Sequence, residues 1–318
     1  MPNCALLKQL AKRRILYSAM SEKVFINEVG LRDGLQNLDT FISSDGKLAL
    51  CRSFIDAGLK EIEVTSFVSH KAVPQMSDAD RLFSNLPDLS DVDFSALVPN
   101  IKGYERAREA GAKRVALVVA TTETFNQRNI NMTFSEAVSI SEKVIALAQV
   151  DGVRVRTYIS GSFVCPYEGI IPVNQVLDLT ERLLAAGTDE VGIADTTGAS
   201  NPAHCQKLFS AVTQRWGPER FSAHFHDTRA MGLVLAWIAL QEGIRRFDSS
   251  IGGLGGCPFA PGAAGNLATE DLVFMLNQSG YKTDINFDRL LLAIATAEQL
   301  TGKSLGGRIM PWWTSQDK

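Results

Sequence analysis

The chain has 318 residues, 45% of them hydrophobic, which is ample for one large core, and α/β barrels of ~250 residues run as single units. Its net charge of −3 and pI near 5.9 come without a basic stripe or polybasic tract, so nothing in the sequence marks a nucleic-acid or membrane surface. Cys4, Cys51, Cys165, Cys205 and Cys257 form no CxxC pair; an odd, scattered set argues for a reducing compartment and against a disulfide scaffold.

The first twenty residues carry Lys8, Lys12, Arg13 and Arg14 and no acid. Two readings fit. One is a disordered basic extension ahead of Met20 as the working initiator, favoured by the sparse serine; the other is an organelle transit peptide. The expected location is cytoplasmic, or the mitochondrial matrix in the second case. No apolar run approaches the ~18 residues of a membrane span, and MPWWTSQDK at the C-terminus carries no targeting or lipidation signal. The expected division is an N-terminal extension at 1–23, a catalytic barrel with C-terminal helices at 24–303, and a tail at 304–318.

VFINEVG (24–30) reads as the first strand. A recurrence then organises the chain: a helical stretch ends in a small residue and glycine, and an apolar strand-like run follows. It appears in DAGLKEIEVTSF (56–67), EAGAKRVALVVA (109–120), AAGTDEVGIAD (185–195) and QEGIRRFDSSI (241–251). Glycine at the helix end supplies the left-handed conformation that stops the helix. The runs after it read as buried parallel strands. Further strands fill the gaps, giving eight at 24–30, 61–66, 93–98, 114–119, 153–160, 189–194, 221–226 and 247–251. Amphipathic helical patterns lie between them, for example at 133–149, 173–186 and 202–214, and two more follow at about 267–279 and 286–302. Repeated βα units predict a single (β/α)₈ TIM barrel with additional C-terminal helices. The rival open sheet would carry a Gly-rich dinucleotide loop after strand 1, where this chain reads GLRDGLQN.

Active sites of such barrels lie at the C-terminal strand ends. There the sequence places Glu28, Arg32, Asp33, Gln36, Glu63, Tyr158, Ser160, Asp195, His224, His226 and Asp227. His224 and His226 sit at i, i+2 on one strand, whose period of two turns both imidazoles to one face. With Asp33 and the Asn266 amide due at the same mouth, a divalent metal site is favoured over a pair of hydrogen-bonded core histidines. A nitrogen and oxygen set without thiolate points to Mg²⁺ or Mn²⁺. The glycine-rich run 252–265 reads as a mobile loop or one that brings backbone close to a ligand. Cys257 within it is a general acid, a nucleophile or an incidental small residue. Arg32 beside Asp33 suits an enolate oxyanion, with a surface ion pair as the alternative.

Together EVGLRDGLQN (28–37), EVTSFVS (63–69), VPQM (73–76), CPYEG (165–169), HFHDT (224–228) and GGLGGCPFAPGAAGNLATED (252–271) resemble the 3-hydroxy-3-methylglutaryl-CoA (HMG-CoA) lyase family over about residues 24–303. The RDG motif belongs to a broader Claisen-type superfamily, whereas GGLGGCP followed by GNLATED is more specific to the lyases. The resemblance implies a divalent cation held by Asp33, His224, His226 and Asn266. It also implies catalytic roles for Arg32, Asp33, His224 and Cys257, and substrate contacts from Gln36, Glu63, Tyr158, Asp195 and Glu270. The implied reaction is a metal-assisted retro-Claisen cleavage to acetyl-CoA and acetoacetate. Asp33 or a histidine of the metal site removes the hydroxyl proton, Arg32 stabilises the thioester enolate and Cys257 protonates it. The implied partners are an acyl-CoA thioester and a second copy in a homodimer, with no nucleic acid and no membrane.

Three positions depart from the family pattern. RAMG (229–232) stands where YGQA is usual after HDT, Gly161 replaces an additional cysteine, and IADTTG replaces LGDTIG. They leave the metal and acid residues intact and bear on substrate identity. Arg229, just after HDT, is expected in the loop beside the metal, either holding the substrate's free carboxylate or pairing with Asp227 or solvent. The alternatives to HMG-CoA cleavage are a lyase for citramalyl-CoA or a longer-branched thioester, a condensing synthase, and a non-catalytic acyl-CoA-binding barrel.

Overall fold

In the computed structural model, residues 22–256 and 265–316 are described. Strands β1 (Phe25–Glu28), β2 (Glu61–Ser66), β3 (Asp93–Leu97) and β4 (Arg114–Ala120) lead into β5 (Arg154–Ser160), β6 (Glu190–Asp195), β7 (Phe221–Phe225) and β8 (Arg246–Ser249). Each is parallel to its neighbours, and β8 closes onto β1 through the register Phe25↔Arg246 to Glu28↔Ser249. The sheet is therefore a closed eight-stranded barrel, as the repeat predicts. Every residue of β2, β6 and β7 is buried, so even their polar side chains, Glu63 and His224 among them, lie in the interior.

The repeat glycines do what the sequence requires of them. Gly58, Gly111, Gly187 and Gly243 all lie at φ of 95–97°, a backbone region that an L side chain rarely adopts. The outer layer follows in α1 (Ser44–Asp56), α2 (Ala79–Ser84), α3 (Ile101–Glu109), α4 (Glu123–Ile130), α5 (Phe134–Asp151), α6 (Val173–Ala186), α7 (Pro202–Trp216) and α8 (Gly232–Gln241). Thr133 and Glu136 close a reciprocal capping box on α5. No described helix is long and apolar enough to cross a membrane.

The structure departs from the sequence reading at both ends of the strand set. β1 stops at Glu28, and Gly30–Gly34 form one turn of π-helix instead of continuing the strand. β8 stops at Ser249, and Ile251–Gly253 form a 3₁₀ turn. One side chain links both endings: Glu28 accepts from the Gly30 N–H at 2.8 Å, the Ile251 N–H at 2.9 Å and the Thr269 hydroxyl at 2.6 Å. A two-residue hairpin, Val164–Cys165 with Gly169–Ile170, was also not foreseen.

After the barrel come α9 (Thr269–Gln278), α10 (Phe287–Thr301), which packs on α1, and α11 (Ile309–Thr314). Residues 304–316 are tied down at several points. Arg308 and Ile309 donate backbone N–H groups to Asp271 at 2.8 and 2.9 Å, and the Trp313 ring lies 4.8 Å from Phe287.

The lower barrel interior is ionic. Arg114 donates to Glu61 at 2.8 Å and to Glu190 at 3.0 Å, while Arg156 reaches Glu190 at 2.6 Å and Asp248 at 2.7 Å. Such buried charges persist only when paired.

Candidate active site

The site is built at the C-terminal mouth of the barrel. The π-turn after β1 carries Arg32 and Asp33 inward, and both are buried. Such one-turn π insertions recur at functional positions. Gly30 is needed for the turn, because a Cβ there would meet the Glu28 carboxylate at 2.6 Å. On the far side β7 delivers His224, and His226 follows directly after it, with the two rings 5.2 Å apart.

Asp33, His224 and His226 each offer one ligand atom, all within 4.8 Å of one another and all buried. Asp33 Oδ2 lies 4.0 Å from His224 Nε2 and 3.8 Å from His226 Nε2. Asn266 pairs with His226 across an antiparallel bridge, and its amide nitrogen donates to Asp33 Oδ2 at 2.7 Å. The Asn266 carbonyl oxygen is buried with no hydrogen-bond partner among the described residues. Turning that amide over would aim its oxygen at the same point as Asp33 and the two imidazoles. Two imidazoles, one carboxylate and one amide oxygen fit a hard divalent cation such as Mg²⁺ or Mn²⁺.

Electrostatics keep the groups in complementary states. Burial alone would push the Asp33 carboxyl up, but Arg32, His224 and His226 outweigh it and hold it at about 2. Burial and the neighbouring His224 lower His226 to about 4, leaving a neutral imidazole able to donate a lone pair. His224 is raised instead: burial opposes its charge, but the Asp248 carboxylate at 3.1 Å prevails.

Arg32 bridges two acids, donating from Nε to Glu63 and from Nη1 to Asp33. Gln36 donates to Asp33 at 2.9 Å. The Tyr158 hydroxyl is 3.5 Å from Glu63, and burial holds the phenol far above its ordinary range. Arg32, Asp33, Gln36, Tyr158, His224 and His226 all face one cavity of about 210 Å³. Val68, Leu97, Val98 and Val118 also line it.

Ser160 also lines this cavity, whereas Asp195, Arg229 and Glu270 do not. Asp195 ends β6 with its carboxylate accepting from the Ala199 and Ser200 N–H groups at 3.0 Å each, and burial raises it to about 6. Arg229 is exposed and donates to the Ala199 carbonyl at 3.2 Å, with no ion pair to Asp227. Glu270, raised to about 7 by burial, accepts from the Gly252 N–H at 3.0 Å and from the Gly307 N–H. It thus grips the start of the glycine-rich run. Cys257 lies outside the described residues.

Asp248, the register partner of His224 on the neighbouring strand β8, was missed. The available signal was an acid inside a strand predicted to be buried, since buried carboxylates need partners.

Comparison with known proteins agrees with this geometry. The HMGL-like family model matches residues 23–296. The hydroxymethylglutaryl-CoA lyase of Bacillus subtilis (strain 168) is 42% identical over 287 residues, covering 90% of this chain and 96% of that one. A Pseudomonas aeruginosa protein named 3-hydroxy-3-isohexenylglutaryl-CoA/hydroxymethylglutaryl-CoA lyase is 40% identical, covering 91% and 96%. The solved structure of an Acinetobacter baumannii HMG-CoA lyase in complex with coenzyme A and 3-methylmalate superposes with a TM-score of 0.88 at 36% identity, covering 92% and 96%. With the HMGL-like model matched over most of its length and relatives at 40–42% identity, the chain belongs to the HMGL-like family of carbon–carbon lyases.

Proposed function

We propose that the protein cleaves HMG-CoA to acetyl-CoA and acetoacetate in a retro-Claisen reaction. The observation that carries this reading is the convergence of Asp33, His224 and His226 on one point, with the Arg32 guanidinium beside it in the same cavity. Relatives at 40–42% identity bear the same activity in their names.

The residues proposed to hold the cation are Asp33, His224, His226 and Asn266. When bound, a divalent cation lends Lewis acidity to the substrate's C3 hydroxyl. A base of the site, Asp33 or one of the histidines, takes the hydroxyl proton. The oxygen lone pair then forms the ketone of acetoacetate, and the C2–C3 bonding pair moves to C2 as a thioester enolate. Arg32 stabilises the enolate oxygen, and its contacts to Asp33 and Glu63 fix the guanidinium before substrate arrives. Cys257 delivers the proton that completes acetyl-CoA. Gln36, Glu63, Tyr158 and Asp195 are proposed to orient the acyl group, and Glu270 to anchor the loop bearing Cys257.

Product analysis after incubation with HMG-CoA and Mg²⁺ or Mn²⁺ tests the reading: acetyl-CoA and acetoacetate in equal amounts are expected. Cleavage of citramalyl-CoA or a longer-branched thioester in preference would reassign the substrate, and no turnover of any thioester would leave a binding barrel. We also propose a homodimer. Its support is the apolar outer side of α8, an uncharged helix on which Val234 and Trp237 are exposed, with Met231 exposed at its N-cap. Sedimentation velocity reads the mass. The proposed location is cytoplasmic, or the mitochondrial matrix if residues 1–20 direct import, and cell fractionation distinguishes the two.

A further inference from the structure

The two site histidines are held differently. His226 Nδ1 is buried with no hydrogen-bond partner among the described residues. His224 Nδ1 instead faces Asp248 Oδ2 at 3.1 Å. Asp248 is itself fixed on β8. Its other oxygen accepts from Arg156 Nη1 at 2.7 Å and from Asn27 Nδ2 at 2.9 Å, and the same Arg156 nitrogen donates to the Tyr158 hydroxyl at 3.0 Å. Asp248 and Arg156 are buried. The series Arg156–Asp248–His224 thus runs from the ionic lower barrel to the site.

We propose that Asp248 is a positioning residue, oriented by Arg156 and Asn27, that locks His224 in the Nδ1–H tautomer and so leaves the Nε2 lone pair aimed at the metal point beside Asp33. This rests on the reading of His224 as a metal ligand. A carboxylate has only acceptors, so Asp248 Oδ2 requires a hydrogen on Nδ1. The neutral ring then keeps its lone pair on Nε2, 4.0 Å from Asp33 Oδ2. Outer carboxylates of this kind orient ligating imidazoles and make them more basic.

Asp248→Asn separates this role from simple packing. Arg156 and Asn27 both donate to Oδ1, so the asparagine carbonyl must turn to that side. Its NH₂ then points at His224 Nδ1 and donates to it, which moves the ring proton to Nε2 and occupies the ligating lone pair. The side-chain volume barely changes, yet the tautomer reverses.

The test measures the tautomer and metal binding directly. In ¹⁵N-histidine NMR of the metal-free wild-type protein, His224, assigned by the loss of its signals in His224→Gln, is expected as Nδ1–H. Asp248→Asn is expected to show Nε2–H and to bind Mn²⁺ roughly 10–100-fold more weakly by calorimetry. Raising Mn²⁺ should recover part of its turnover. An Nε2–H tautomer in the wild type, or unchanged Mn²⁺ affinity in Asp248→Asn, overturns the proposal while leaving the metal site standing. Wild-type protein that binds no Mn²⁺, with His224 as Nδ1–H, overturns the metal reading and the positioning role with it.

Discussion

Glu28 offers a quantitative test of how the barrel mouth is held together. Its carboxyl is fully buried and accepts from Gly30, Ile251 and Thr269. Burial, with a smaller push from the Glu270 charge, raises it from its ordinary 4.5 to about 7 despite those hydrogen bonds. A carboxyl raised on folding is protonated more readily in the native than in the unfolded chain. Its contribution is therefore complete below 4.5 and is lost as pH climbs to about 7. At about 1.4 kcal/mol per pH unit, the loss is ~3 kcal/mol. Glu28→Gln removes the ionisation and keeps the shape. The amide oxygen can accept from Gly30 and Ile251, and the amide nitrogen can donate to Thr269, whose hydroxyl turns to donate to Ser249 at 2.8 Å. The difference in urea stability, variant minus wild type, is expected near zero at pH 4 and to reach ~3 kcal/mol in favour of the variant at pH 8. A difference that stays flat across that range would show that Glu28 ionises freely, or that its partners cannot reverse their donors.

Chelation should abolish turnover and Mg²⁺ or Mn²⁺ should restore it, with His224→Ala weakening metal binding; full turnover in excess chelator would refute the cation assignment. Cys257→Ser should fold normally, keep its metal affinity and lose roughly 10²-fold or more in kcat, the scale of a positioned acid; near-normal kcat would remove it from the chemistry. Arg32→Gln leaves the Asp33 and Glu63 carboxylates buried without their cation, so the chelator-treated protein should lose about 3–5 kcal/mol in urea unfolding. A loss well under 1 kcal/mol would mean the pair is solvated. Arg229 spends one hydrogen bond on Ala199, and its remaining donors have no partner among the described residues. If it captures the substrate carboxylate, Arg229→Tyr should shift kcat/KM ratios across branched thioesters by about tenfold, ~1.4 kcal/mol; constant ratios would dismiss it.

The parts of the fold legible in the sequence are those decided locally. Glycine at φ of 95–97° followed by a buried apolar run identifies four βα units, because the turn can be made by almost no other residue. The histidine pair was legible for the same reason: a period of two along β7 and the extended residue after it turns both rings to one side. What escaped depends on residues far apart in the chain. β1 and β8 end early because Glu28 bonds Ile251, 223 positions away. Residues 304–316 are docked by Asp271 and Glu270, whose carboxylates look like ordinary helix-start acids in the sequence. Asp248 is the sharpest case. Within RRFDSSI it resembles a strand-edge acid; pairing of β8 with β7 sets it beside His224, and the curvature of the barrel brings Arg156 of β5 to it. The sequence thus exposes the groups that meet the substrate, which share short motifs. The groups that hold them in place come from separate strands, and their pairing exists only once the barrel has closed.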